Sequence, residues 1–207
     1  MNKTVKALGS LVAASALVFT ASCSSADDEQ PQADAPQWDL SAAPTQARWS
    51  NLNGLQVPSA KEGPEDTKPV RHGYNESPQG AVLAAINGQA QLAVTGDSAW
   101  PDVSRQVLAP GKGRDQWAQG RALASIKGSV PADQAAKFKG FKVKDFDKER
   151  TTVVLAVEYP KVGLVATPVQ LTWLSNDWRI VLPPQDQTVE SINIDSLDGF
   201  TEFSAKG

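Results

Sequence analysis

Apolar positions recur along this chain with two different periods, and the change between them divides it. Val82, Leu83, Ile86, Ala90 and Ala93 fall three or four residues apart, the repeat of one face of a helix. Ser77 stands where an N-cap belongs and Pro78 at the first helical position, where a missing N–H costs no hydrogen bond. Gly96 ends this helix. A second, short helix is expected after Pro101, burying Val103, Val107 and Leu108, before the Ala-Pro-Gly-Lys-Gly run at 109–113 breaks it. A third is expected over 114–127, with Trp117, Arg121, Leu123 and Ile126 as its stripe and Gly128 as its stop. Residues 131–137 add one or two more turns.

After Gly140 the period becomes two. Phe141 and Val143 alternate with Lys142 and Lys144, and residues 151–159 are strongly β-prone. Residues 163–174 and 178–182 read as strands joined by a tight turn at Ser175-Asn176-Asp177, and 189–194 as a last strand. Helices followed by an antiparallel sheet predict an α+β domain, with two or three helices packed on one face of a curved sheet.

Upstream the periods vanish. Within 48–77, Trp49, Leu52, Leu55 and Val57 are apolar, but Gly54, Pro58, Gly63, Pro64, Pro69 and Gly73 interrupt every repeat. This predicts an irregular strap pinned on a single domain that spans 48–207, helical over 78–138 and mainly β over 139–207. Residues 24–47 carry five acidic side chains and no basic one. Such a segment buries too little to offset chain entropy and reads as a disordered acidic tether, with Trp38 an incidental exposed aromatic.

The first 22 residues read as an export signal. Lys3 and Lys6 precede thirteen uncharged, mostly apolar residues, and Thr20-Ala21-Ser22 lead into Cys23. Thirteen helical residues span about 20 Å, too short for a membrane span. A cysteine after small residues resembles the bacterial lipobox, which implies cleavage between Ser22 and Cys23 and a diacylglyceryl group on the thiol. Two acyl chains anchor stably where one does not. The expectation is a lipoprotein of the cell membrane, bearing palmitate-type chains on Cys23 and facing away from the cytoplasm.

Composition narrows the chemistry. The chain has 207 residues, one Cys, one His and a formal charge of −3, which argues against nucleic acid as a partner and against a disulfide framework or zinc finger. His72 has no evident orienting partner, so a packing role is expected. Asp145 and Asp147 lie two apart among Lys144, Lys148 and Arg150, the pattern of a solvated hairpin rather than an acid–base pair. Gly111-Lys112-Gly113-Arg114 lacks the spacing of a phosphate loop, and residues 195–202 lack the alternating ligands of a calcium loop. No metal site, no cofactor and no catalytic set are expected. The densest charge is basic: Lys137, Lys139, Lys142, Lys144, Lys148 and Arg150, an ordinary edge-strand pattern that is also a candidate interface. Trp100, Trp117 and Trp173 are expected in the core, and Trp49 and Trp178 are candidates for a pocket mouth.

The order of elements, and the hairpin from Val169 to Trp173 and from Asp177-Trp178-Arg179-Ile180 to Leu182, resemble the nuclear-transport-factor-2-like superfold, which implies a cone that is hollow in some members. The run Trp49, Gly54, Val57-Pro58-Ser59, Gly63-Pro64, Gly73-Tyr74, Pro78 and Gly80 to Ala85, with Asp177-Trp178-Arg179 and Asp198-Gly199-Phe200, is similar to an uncharacterised family of actinobacterial lipoproteins. That resemblance implies a setting near integrative and conjugative elements. The reading that follows is a lipid-anchored, non-catalytic interaction protein, accessory to a conjugative transfer or envelope complex. The alternative is a lipoprotein that binds a small molecule in the cone.

Overall fold

The computed structural model describes residues 37–187 and 189–206. Cys23, the expected export signal and the tether as far as residue 36 lie outside the described residues. The fold is α+β, with a mostly antiparallel sheet that does not close.

Helix α1 (Pro78–Val94) forms where the period predicts it. The Ser77 hydroxyl accepts the Gly80 N–H at 3.0 Å, satisfying one of the orphan donors of the first turn. It is buried almost all round, Val82, Leu83 and Ala85 completely. The second helical segment starts as α2 (Trp100–Asp102) and continues as a π-helical turn over Val103–Val107. Helix α3 (Lys112–Leu123) stops four residues early. Its expected stripe is not what holds it, since Leu123 is 93% exposed. Arg121 holds it instead, buried and donating to the carbonyls of Thr95 at 3.0 Å and Ala124 at 2.8 Å.

Two segments differ from their sequence reading. The irregular strap begins with a hairpin, β1 (Arg48–Leu52) against β2 (Leu55–Ser59). Asn53 and Gly54 form its two-residue turn, both with positive φ, the requirement of a type I′ hairpin. A Cβ on Gly54 would lie 2.3 Å from the Val130 carbonyl oxygen, so the turn is also a packing point. The last part of the tether is ordered. Trp38 packs on Phe146 at 5.7 Å, Gln79 donates to the carbonyls of Asp39 and Ala42, and the Thr45 carbonyl accepts the Lys61 N–H at 3.0 Å.

The main sheet contains β3 (Lys137–Lys144), β4 (Arg150–Tyr159), β5 (Gly163–Trp173), β6 (Trp178–Ile180), β7 (Ile192–Asn193) and β8 (Thr201–Glu202). Its spatial order is β6-β5-β4-β3-β8, with β7 on the edge of β5. Strand β3 starts four residues earlier than expected, and 131–136 holds a turn rather than a helix. The inner face packs on α1 through Phe141, Val153, Leu155, Val169 and Leu171. Trp178 and Ile180 complete that layer, and Gly88 of α1 leaves room for Ile180.

The outer face is crossed by the chain itself. Strands β7 and β8 sit on opposite edges, joined only by residues 194–200. Gly140, Ala156 and Ala166 lie side by side across three strands between them. Small side chains there let the crossing segment lie against the sheet. Ala156 is 0% exposed, and a Cβ on Gly140 would meet the Thr201 carbonyl oxygen at 2.8 Å.

Candidate functional site

The first strand of the sheet places four lysines on the side away from the core. Along β3 the pattern alternates Phe138, Phe141 and Val143 inward with Lys137, Lys139, Lys142 and Lys144 outward. A bulge between Phe138 and Gly140 keeps this alternation across an extra residue. Lys148 lies in the β3–β4 turn and Arg150 opens β4, both at the far end of the strand. The six basic residues are therefore not one surface. The four lysines of β3 alone form a row about 24 Å long, at roughly 3.4 Å per residue.

At the start of β3 the row meets an aromatic. A trough of about 600 Å³ opens between the β1–β2 hairpin, the first residues of β3 and the C-terminal segment. Trp49, Asn51 and Gln56 form one wall, Lys137 and Lys139 the floor, and Ser204 to Lys206 the other wall. A second depression of about 570 Å³ shares Ala132, Ala135 and Lys137 with it and runs to the β4–β5 hairpin tip. There Tyr159 is 41% exposed and Val162 63%. The combined lining holds Lys137, Lys139, Lys161 and Lys206 against Asp133 and Glu158. Glu158 is engaged with Lys139 at 3.7 Å.

Two sets of sequence candidates meet here: Trp49 borders the trough, away from the space between α1 and the sheet, and Lys137 and Lys139 floor it. Trp49 is held by Phe203 at 5.2 Å, which packs edge-on against Phe141. Trp178 does not join them. It is 2% exposed, packed between Phe146 and Trp173, and its Nε1 donates to the Asn75 carbonyl at 3.0 Å. Trp100, Trp117 and Trp173 are half-buried, Trp117 and Trp173 packed against the core from its margin. A bonded indole N–H lets Trp178 occupy the core at no cost in unpaired polar groups.

The other polar candidates stay apart. His72 faces Asp66 at 3.6 Å and the Val70 carbonyl at 3.2 Å. Asp147 accepts the N–H groups of Glu149 and Arg150, each at 2.7 Å, which holds its carboxyl below the ordinary range. No bond joins His72 to Asp145 or Asp147. Among the described residues no three His, Cys, Asp or Glu side chains form a metal-holding group.

Sequence reasoning missed a buried polar clasp. The Arg71 side chain is buried without a bonded carboxylate. Its Nε donates to Asn87 at 2.6 Å, and its terminal nitrogen reaches Ser59 and the Pro58 carbonyl. Gln91 accepts the Arg71 N–H at 2.6 Å and returns a bond to its carbonyl at 3.0 Å. Burial pulls the guanidinium below its ordinary value. Asp177 closes the same strap from the sheet side, and burial raises its carboxyl above the usual range. Tyr74 beside them is fully enclosed, with its hydroxyl unpaired and its pKa pushed up, first by burial and then by Asp177. Asn87 and Gln91, polar residues on a buried helix face, were the available signal. Both are buried side chains bonded to the strap, so the clasp is a fastening, with no cleft opening onto it.

A family model described as "Domain of unknown function (DUF8175)" matches residues 13–202. No curated protein and no solved structure matches the chain.

Proposed function

Because the chain belongs to this family of unknown function, we propose that it is a lipid-anchored, extracytoplasmic, non-catalytic interaction module. Its partner-facing surface is the trough at the start of β3. The observation that carries this reading is a polarity in the folded unit. Trp38 joins the domain at Phe146, beyond the end of β3, whereas the trough opens beside Lys137 at its start. A lipid on Cys23, fourteen residues before Gln37, would tether the domain to the membrane and leave the trough to a partner. The likeness to actinobacterial lipoproteins suggests an envelope or conjugative transfer complex as the setting. The likeness to the nuclear-transport-factor-2-like superfold is supported by α1 lying on the inner face of an antiparallel sheet.

The small-molecule alternative places its ligand between α1 and the sheet. Leu83, Ile86, Phe141, Leu155 and Trp178 fill that space, each no more than 2% exposed, so it is the weaker reading.

Two experiments test the proposal. Mass spectrometry of the mature N-terminus and membrane fractionation should find a diacylated Cys23, and Cys23→Ala should abolish membrane retention without changing the melt of the domain. Crosslinking in intact cells should capture an envelope protein, and deletion should reduce transfer of a resident conjugative element. A lipid-free protein that captures no envelope partner and leaves transfer unchanged overturns the reading.

A further inference from the structure

We infer that the trough takes an extended, acidic segment of a partner protein, laid across the ends of β3, β4 and β5. This rests on the interaction reading above. Three features of the trough point to it.

The first is the backbone. Strand β8 covers the outer edge of β3 only at Gly140 and Phe141, and the Phe203 N–H adds one bond to the Lys139 carbonyl at 2.9 Å. Past Phe203, residues 204–206 make no backbone bond to β3 among the described residues and form the trough wall. Among the described residues Lys137 and Phe138 have no backbone partner on that side. Unpartnered backbone groups on the trough floor can bond an extended chain.

The second is charge. Lys137, Lys161 and Lys206 have no ion pair among the described residues, and Lys139 has one at 3.7 Å. Four lysines facing two carboxylates favour an anionic occupant, and lysines spaced along a channel favour charges spaced along a chain.

The third is shape. The two joined depressions form an open trough with Trp49 at one end and Tyr159 and Val162 at the other. A pocket for a small ligand encloses most of that ligand, whereas an open channel across the strand ends, with apolar contacts at Trp49, Tyr159 and Val162, suits an extended chain.

The test uses the full chain in detergent and a fluorescein-labelled eight-residue peptide alternating glutamate with threonine and valine. Its lysine-for-glutamate counterpart, inorganic phosphate and free glutamate serve as comparisons. The acidic peptide should bind, and amide exchange at Lys137 and Phe138 should slow. Lys137→Glu with Lys206→Glu should weaken it roughly tenfold or more, and Lys148→Glu, at the other end of the sheet, should leave it unchanged. Equal binding of the lysine peptide, equal competition by phosphate or glutamate, or indifference to the double reversal overturns the inference. If photo-crosslinkers placed at 137 stay silent while those at 148 capture an envelope protein, the trough assignment falls and the interaction reading stands. Silence from every surface removes both.

Discussion

Asp177 accepts the backbone N–H groups of Gly73 at 2.9 Å and Tyr74 at 2.8 Å, across more than one hundred residues of sequence. The carboxylate sits in the β5–β6 turn, 6% exposed, and ties the strap to the last hairpin of the sheet. Two charge-assisted bonds to otherwise buried donors make this the strongest single fastening between the two halves of the chain.

Replacing Asp177 with Asn should therefore destabilise the domain by about 2–3 kcal/mol. The amide keeps one acceptor oxygen and turns an NH₂ toward the other backbone donor. Urea unfolding measures the loss, and amide exchange at Gly73 and Tyr74 should accelerate more than in the centre of α1. Unchanged protection at those two amides would refute the role.

The pH dependence has a definite sign. Burial raises Asp177 above the ordinary aspartate value of 3.8, so the native state binds this proton more tightly than the unfolded chain. Its contribution is complete below 3.8 and is lost as pH rises through the higher folded value. Asp97 behaves oppositely. Bonds from Ser125, Ile126 and Arg121 lower it, so its contribution is present above 3.8 and is lost as pH falls through its folded value. The stability advantage of the wild type over Asp177→Asn should thus shrink as pH rises from 3.8 through the raised folded value. An advantage that grows over that interval would show the carboxylate to be favoured by the fold.

Gly88 tests the seam between α1 and the sheet. A Cβ there would stand 2.4 Å from Ile180 Cδ1 and 3.3 Å from Val107 Cγ1. Ala gains about 1 kcal/mol in helix propensity, but overpacking costs about 1–3 kcal/mol. Gly88→Ala should be net destabilising, because Ile180 is 2% exposed and has no room to swing. Adding Ile180→Val, which deletes the clashing methyl, should restore the loss, and a double-mutant cycle measures the coupling.

The ordered end of the tether should matter for stability. A chain begun at Gln37 should be more stable than one begun at Arg48 by about 2 kcal/mol, from the Trp38–Phe146 contact and the bonds to Asp39, Ala42 and Thr45. Equal melting temperatures would mean that residues 37–47 only rest on the surface.

Sequence alone determined the elements that local chemistry dictates. Helix α1 was legible because its cap, its first-position proline and its apolar spacing agree. The β5–β6 hairpin was legible because Ser175 and Asn176 accept positive φ between two β-prone runs. The β1–β2 hairpin carried an equally local signal, Asn53-Gly54, but the surrounding prolines and glycines obscured it. Tertiary structure decided what depends on residues far apart in the chain. Trp178 became core and Trp173 its half-buried neighbour because Asn75 satisfies one indole and the strap covers it. Trp49 became a trough wall because Phe203, more than 150 residues later, supports its ring. The basic run became a row with two different ends because strand geometry spreads consecutive lysines along β3. Periodicity reports which way a side chain points from its own element, while its burial and its partners belong to the elements that come to meet it.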